Sequence, residues 1–136
     1  MTTYVLDASA VLRFLHKHTG SVRVGEILGF IEPGSGRAAI SAVNWGEVAC
    51  TTAKLQGSSR VNPILAQLLY LGLEVIPASP ERAVRAGMLK ASLKIPYADA
   101  FCIELASDSP DHVLVTADFD MKPAEHLVKI EFLPVK

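Results

Sequence analysis

The sequence predicts an α/β fold in which helices cover both faces of a small parallel sheet of four to five strands. Short apolar runs of strand length alternate with longer segments whose apolar residues recur every three or four positions. Such alternation is typical of parallel sheets, because their strands are connected through helices. The 136 residues suit one domain, and no repeat or linker divides them. Residues 1–136 are therefore expected to form a single domain.

The first third of the chain predicts a buried strand and two helices. Residues 4–6 are a short apolar run that leads directly into a helical pattern at 8–18. A second helix follows Ser21 and is expected to end at Pro33-Gly34. Its apolar residues share helical spacing: Val24, Ile27, Leu28 and Ile31.

The middle of the chain predicts two further strands separated by helices. R-A-A-I-S at 37–41 is a weak strand candidate, and Ser41 can cap the helix that follows it. That helix ends at Gly57, and the next runs over 61–70 before the strand pattern L-E-V-I-P at 73–77. The inward stripe of the first of these helices is expected to contain Trp45, Val48, Thr52 and Leu55.

The last third predicts two helices and two strands. Ser79 is a suitable helix cap with Pro80 at the first helical position, and Pro96 begins another helix. H-V-L-V-T at 112–116 and V-K-I-E-F-L at 128–133 have strand patterns. The apolar residues expected along the helix after Ser79 are Ala83, Val84, Gly87, Met88 and Ala91.

Composition and charge indicate a globular protein without a general affinity for polyanions. Half of the residues are hydrophobic and a fifth are charged, and 13 basic against 14 acidic residues leave a net charge of -1. Nucleic acid would therefore have to meet a local basic patch. Cys50 and Cys102 lie singly in apolar helical patterns, so we expect buried free thiols rather than a zinc or redox site.

The sequence also predicts a protein without a membrane segment. No apolar run reaches membrane-spanning length, and the N-terminal M-T-T-Y-V-L-D lacks the basic region of a signal peptide. We therefore expect a cytoplasmic location.

One acidic residue lies in an unexpected position. Asp99 shares a helix stripe with Cys102, Ile103 and Ala106, because residues three, four and seven apart lie on one face. An ionised carboxylate on an apolar face requires a partner, a metal ion or a proton.

Three further acids are expected close to Asp99. Asp7 directly follows the first strand and Asp118 follows the strand at 112–116, so both lie at the carboxyl edge of the sheet, where ligands bind in such folds. Glu47 lies two turns into the helix after the second strand. Four carboxylates at one edge repel each other unless cations or protons are present. Their hard oxygen ligands suit Mg²⁺ or Mn²⁺, which favours hydrolysis of a phosphate ester.

Each acid also has a structural interpretation. Asp7 can cap the first helix, and Glu47 can be a solvated acid near a helix start. Asp118 and Asp120 in T-A-D-F-D can be ordinary turn acids. Two more acids, Asp108 and Asp111, lie in a turn-rich loop and are assigned to solvent.

Four segments in order resemble the acidic motifs of PIN domains, and most closely those of the VapC toxins of VapBC toxin-antitoxin systems. The segments are V-L-D-A-S-A at 5–10, I-S-A-V-N-W-G-E-V at 40–48, I-P-Y-A-D-A at 95–100 and V-L-V-T-A-D-F-D at 113–120. The resemblance covers nearly the whole chain. One departure is Met121, where the family commonly has Phe.

The resemblance implies a three-layer α/β/α domain with Asp7, Glu47, Asp99 and Asp118 around Mg²⁺ or Mn²⁺. Cleavage of RNA, homodimerisation and inhibition by a VapB-like antitoxin are implied as well. Supporting roles fall to Ser9, Thr116 and Asp120.

Four basic residues near these motifs are candidate RNA contacts, each of which can equally be solvated surface charge: Arg13, Lys17, Lys54 and Lys122. Two other functions remain open at this point. One is a PIN-fold binding partner without activity, and the other is an α/β phosphohydrolase that uses Asp7 as its nucleophile. The presence of all four acids disfavours the first, and Ser9 in place of a second Asp disfavours the other.

Overall fold

The structure is a computed structural model that describes residues 1–29 and 36–136. The strands are β1 (Thr3–Leu6), β2 (Arg37–Ser41), β3 (Leu73–Ile76), β4 (His112–Thr116) and β5 (Lys129–Phe132). The helices are α1 (Ala8–Leu15), α2 (Ser21–Gly29), α3 (Ala42–Gln56), α4 (Val61–Tyr70), α5 (Pro80–Leu93) and α6 (Tyr97–Ala106). Two short 3₁₀ helices span Ser58–Arg60 and Phe119–Ala124.

The five strands form one parallel sheet in the order β3-β2-β1-β4-β5. β1 lies at the centre between β2 and β4, so the chain turns to opposite sides of β1 as it builds the two halves of the sheet. All strands point the same way, and their carboxyl ends therefore meet at one edge. The predicted α/β class with a small parallel sheet is confirmed.

Two hydrophobic cores, one on each face of the sheet, give the three layers. Successive side chains of a strand point to opposite faces, and accordingly Val5 and Leu6 enter different cores. The core around Leu6 packs against α1, α2 and α4. The core around Val5 packs against α5 and α6. The sheet is thus covered on both faces, as predicted.

The predicted helix starts are correct where a capping residue was identified. Ser41 Oγ accepts a hydrogen bond from the Val43 amide, and Ser79 Oγ accepts one from the Arg82 amide, both at 3.2 Å. Pro80 occupies the first turn of α5. These caps satisfy amide groups that have no partner inside their own helix.

The end of the first helix was predicted incorrectly. α1 ends at Leu15 rather than at residue 18, because Lys17 has a left-handed backbone with φ of 57°. The predicted end of α2, with Ile31 and Pro33-Gly34, falls outside the described residues.

The predicted apolar faces of α3 and α5 are partly wrong. Leu55 is 66% exposed, and Val84 and Met88 of α5 are 63% and 67% exposed. α5 instead buries Ala86 and packs Leu89 against the core, so its buried face is rotated away from the face on which large apolar residues recur. Cys102 is buried as expected, whereas Cys50 is exposed.

An ion-pair cluster joins α5 to α6. Glu104 is 3% exposed and accepts hydrogen bonds from Arg82 at 2.7 Å and from Arg85 at 3.1 Å. Arg82 also pairs with Asp108 at 2.6 Å, and this guanidinium lowers the pKa of the Asp108 carboxyl. Asp108 is exposed, as its assignment to solvent predicted, but its side chain also turns back onto Arg82 of α5.

Across residues 1–29 and 36–136, no helix combines the length and apolar character needed to cross a bilayer.

Candidate active site

Asp7 lies between the end of β1 and the start of α1. It is 4% exposed, and its Oδ1 accepts hydrogen bonds from Ser9 Oγ at 2.7 Å and from the Ala10 amide at 2.9 Å. The second bond caps α1, so the structural interpretation of Asp7 is correct. Capping does not exclude a role of Asp7 in ligand binding, because the cap uses only Oδ1. The other oxygen, Oδ2, faces the end of the neighbouring strand, where the Thr116 hydroxyl donates a hydrogen bond to it.

Ser9 and Thr116 connect the ends of β1 and β4. Thr116, the last residue of β4, is fully buried, and its hydroxyl lies 3.3 Å from Ser9 Oγ. Ser9 Oγ accepts a hydrogen bond from the Ala117 amide at 3.0 Å, and Thr116 Oγ1 accepts one from the Asp118 amide at 2.9 Å. These bonds hold Asp7 and Asp118 at neighbouring positions on the carboxyl edge of the sheet.

Asp118 caps the 3₁₀ helix that follows β4. Its Oδ1 accepts a hydrogen bond from the Asp120 amide at 2.9 Å. The interpretation of Asp118 as a turn acid is thus correct for its Oδ1, which accepts a hydrogen bond within the turn. Asp120 itself is exposed, and the structure records its backbone amide, not its carboxylate, as the group bonded to Asp118.

Asp99 lies in the first turn of α6 and is the acid most strongly affected by its neighbours. Burial, the charges of Asp118, Asp7 and Glu47, and a hydrogen bond with Asp118 raise its pKa to about 7. All three of these neighbours come from other segments of the chain. The structure therefore brings the four predicted acids into one electrostatic cluster, which we call the acid cluster.

The pKa values of Asp7 and Glu47 are shifted in the same direction. Burial, and to a smaller extent the charge of Asp118, raises the pKa of Asp7. Partial burial and the charge of Asp7 raise the pKa of Glu47, which is the most accessible member of the acid cluster. Cys102 lies beneath the cluster, where burial and the charges of Asp7, Asp99 and Glu47 raise the pKa of its thiol.

The ligand types of the acid cluster fit a hard divalent cation such as Mg²⁺ or Mn²⁺. In the described part of the chain, no Lys or Arg forms a salt bridge with any of the four acids, so their repulsion is uncompensated. Within residues 1–29 and 36–136, no three His, Cys, Asp or Glu side chains are arranged as a complete metal-binding group. An incomplete set of protein ligands is compatible with Mg²⁺, because Mg²⁺ keeps several water ligands and usually takes only one or two carboxylates.

Asn44 is a buried polar residue of the site that the sequence did not single out. It is 1% exposed, and its Nδ2 donates a hydrogen bond at 2.9 Å to the backbone carbonyl of Ala98, the residue before Asp99. A signal was present, because Asn44 lies four residues before the buried Val48 and so extends the inward stripe of α3.

The candidate RNA contacts do not all lie beside the acid cluster. Arg13 donates a hydrogen bond to the Thr19 carbonyl at 3.0 Å and so holds the α1–α2 turn. Lys17 follows the far end of α1, about 12 Å of helix from Asp7. Lys17, Lys54 and Lys122 are exposed and form no salt bridge among the described residues.

A separate cavity of about 500 Å³ lies near the amino ends of β4 and β5. His112, His126 and Lys129 line it, but none of the four acids does. The acid cluster lies instead at the opposite edge of the sheet, where Asp7 and Asp118 follow the carboxyl ends of β1 and β4.

Comparison with known proteins identifies the family. Residues 4–127 match the family model of the PIN domain. The chain therefore belongs to the PIN domain family, and the predicted resemblance to this family is confirmed. The sequence matches none of the curated proteins with which it was compared.

Solved structures share the fold at low sequence identity. VapBC2 from Rickettsia felis, bound to a DNA fragment from its promoter, is 19% identical with a TM-score of 0.72, covering 98% of this chain and 100% of that one. DNA-bound VapBC from Salmonella typhimurium is 18% identical with a TM-score of 0.69, covering 97% and 98%. VapC20 from Mycobacterium tuberculosis, a toxin that cleaves the sarcin-ricin loop, is 13% identical with a TM-score of 0.69, covering 96% and 99%.

Proposed function

We propose that this protein is a metal-dependent endoribonuclease toxin of the VapC type. The observation that carries the proposal is the convergence of charge at Asp99, whose pKa is raised to about 7 by burial and by the charges of acids from three other segments. Strongly coupled carboxylates without basic partners are typical of functional sites. Membership of the PIN domain family supports the same assignment.

In the proposed site, Asp7, Asp99 and Asp118 hold the cation, and Glu47 coordinates it directly or through a water molecule. When bound, Mg²⁺ or Mn²⁺ would activate water and neutralise the charge that develops on phosphate oxygens. Ser9 and Thr116 support the site by donating hydrogen bonds to Asp7. We assign Asp120, which is exposed beside Asp118, an auxiliary acidic role near the substrate.

The proposed reaction is hydrolysis of the RNA phosphodiester bond by water. Glu47 is the accessible acid of the acid cluster, and its raised pKa suits a group that orients the attacking water. Attack at phosphorus breaks the bond to the 3′ oxygen and leaves a 5′-phosphate and a 3′-hydroxyl. The ribose 2′-hydroxyl takes no part, so the preference for RNA must come from its shape and its unstacked bases.

Exposed basic residues are the proposed contacts to the RNA backbone. Lys54 and Lys122 follow Glu47 and Asp118 in sequence and are exposed, which suits contacts to phosphate groups. Lys17 is farther along α1 and would contact a more distant part of the strand. Arg13 already bonds to Thr19 and would have to use its remaining N–H groups.

We also propose a VapB-like antitoxin as the inhibitory partner and a homodimer as the assembly. Two of the similar structures are VapBC complexes, which supports the antitoxin as a partner. Mass measurement of the purified protein by light scattering, alone and with the product of the neighbouring open reading frame, tests both.

The test of the enzymatic proposal is RNA cleavage by purified variants. The Asp7→Asn and Asp99→Asn proteins are expected to lose Mg²⁺- or Mn²⁺-dependent cleavage and to keep their fold. Asp111→Asn is the matched control, since Asp111 is an exposed acid of the loop before β4. Sequencing of the product ends should find 5′-phosphates. Cleavage at the parental rate by Asp99→Asn would contradict the proposal.

A further inference from the structure

Asn44 and Glu47 lie one turn apart on α3, and both face the start of α6. Residues three apart on a helix share one face. Asn44 reaches the Ala98 carbonyl with its side-chain amide at 2.9 Å, and Glu47 is one of the charges that raise the pKa of Asp99. A hydrogen bond from the buried Asn44 side chain therefore connects the helix that carries Glu47 to the residue that precedes Asp99.

This hydrogen bond is additional to those of the helix. A carbonyl in the first turn of an α-helix already accepts a bond from the amide four residues later. The Ala98 carbonyl thus needs no further donor for the stability of α6. A buried polar side chain that bonds to a carbonyl which already has a hydrogen-bond partner suggests that the side chain fixes the position of that segment.

The first turn of α6 has no side-chain cap, and its first residue, Tyr97, donates a hydrogen bond from its hydroxyl to the Ala83 carbonyl of α5 at 3.2 Å. Pro96, at the cap position, makes no side-chain hydrogen bond to the helix. Uncapped first turns fray readily. Two side chains instead bond to successive carbonyls of this turn, Asn44 to Ala98 at 2.9 Å and Cys102 Sγ to Asp99 at 3.1 Å.

We propose that Asn44 is a positioning residue that sets the placement of Asp99 relative to Glu47. This inference rests on the proposed function, because it assigns Asn44 to the same divalent-metal site. Asn44 touches neither the cation nor the RNA in this scheme. Loss of its hydrogen bond lets the first turn of α6 move away from α3, and a shift of about 1 Å is enough to impair a catalytic arrangement.

The test uses Asn44→Leu, which keeps the number and branching of the side-chain heavy atoms but has no hydrogen-bond donor, and measures Mn²⁺ affinity by calorimetry. The expected result is roughly 10- to 100-fold weaker binding, as for other residues that orient metal ligands. Asn44→Ala replaces it if the leucine variant does not fold. The matched control is Val48→Ala, which loosens the neighbouring, fully buried position of α3 without touching Ala98.

The control separates positioning from general loss of stability. Val48→Ala is expected to lower the melting temperature at least as much as Asn44→Leu and to bind Mn²⁺ like the parent. Equal Mn²⁺ affinity in Asn44→Leu and the parent would overturn the role of Asn44 and leave the proposed function intact. Equal weakening in Val48→Ala would overturn it too. A parent protein that binds no Mn²⁺ would overturn both proposals.

Discussion

The Thr116 hydroxyl donates a hydrogen bond to Asp7 Oδ2 at 2.5 Å and connects the ends of two adjacent parallel strands. Ser9 donates to the other oxygen of the same carboxylate. Both bonds favour the ionised form of Asp7 and so oppose the effect of burial, which raises its pKa. The two hydroxyls therefore keep a buried carboxylate available as a ligand.

We expect Thr116→Val to weaken Mn²⁺ binding about tenfold, because the substitution removes a donor that orients Asp7 and favours its charge. Calorimetric titration with Mn²⁺ measures the effect. Thr52→Val is the matched control, since Thr52 is equally buried and its hydroxyl has no hydrogen-bond partner among the residues that the structure describes. Identical affinities of the two variants would contradict this role of Thr116.

Asp7 has two functions in this account, and two substitutions separate them. Asn caps helices as well as Asp does and removes a buried charge, so Asp7→Asn should not lower the free energy of unfolding of the metal-free protein, whereas Asp7→Ala should be about 1 kcal/mol less stable than Asp7→Asn. Both variants should lose stabilisation by Mn²⁺. Urea denaturation with and without Mn²⁺ measures both quantities. A loss of stability in Asp7→Asn equal to that in Asp7→Ala would show that the cap contributes nothing.

The raised pKa of Asp99 predicts that the metal-free protein becomes less stable as pH rises. The carboxyl titrates near 3.8 when unfolded and at about 7 when folded, so the folded state binds more protons between these values. The stability that this proton provides is present below pH 4 and is lost as pH passes 7. Urea denaturation at pH 5.5 and pH 8 should therefore give the lower stability at pH 8.

Asp99→Asn should flatten this pH dependence and raise the stability of the metal-free protein at pH 8 by roughly 1–3 kcal/mol. Asp111→Asn, which lies outside the acid cluster, serves as the control. An unchanged pH dependence in Asp99→Asn would mean that another group is responsible.

The ion-pair cluster between α5 and α6 predicts unequal effects of its two arginines. Arg82→Met leaves Glu104 buried with only Arg85 as partner and removes the partner of Asp108, so we expect a loss of about 3 kcal/mol. Arg85 is 55% exposed, and Arg85→Met should cost less than about 1 kcal/mol. Urea denaturation compares them directly. Equal losses would be inconsistent with Arg82 as the principal partner of Glu104.

The ion-pair cluster between α5 and α6 should contribute less to the stability of the protein at low pH. Arg82 lowers the pKa of Asp108 below its ordinary value of 3.8 in the folded state. Its contribution to stability is therefore complete above about pH 4 and is lost as pH falls through the lowered pKa. Arg82→Met should remove this acid-dependent part.

The sequence predicts most of the sheet and of the acid cluster, because both depend on local patterns. Strands such as residues 112–116 are short apolar runs, and their order along the chain dictates a parallel arrangement. Asp99 was recognisable because a carboxylate interrupts an otherwise apolar stripe. Asp7 and Asp118 were recognisable because they directly follow strands.

Other features depend on contacts between distant segments and could not be predicted. The buried face of α5 is set by Ala86 and by the ion pair of Arg82 with Glu104, whereas Val84 and Met88 face outward. A stripe of large apolar residues therefore pointed to the wrong face. The hydrogen bond of Asn44 to Ala98 likewise joins residues 54 positions apart, and no local pattern specifies it.

The central claim is that Asp7, Glu47, Asp99 and Asp118 form one divalent-metal site. The most direct measurement is anomalous diffraction at the manganese edge from crystals soaked in Mn²⁺, compared with crystals of Asp99→Asn treated identically. The account predicts an anomalous peak among Asp7, Asp99 and Asp118 in the parent protein and its loss in the variant. Manganese bound only elsewhere, or absent from the acid cluster at saturating concentration, would contradict it.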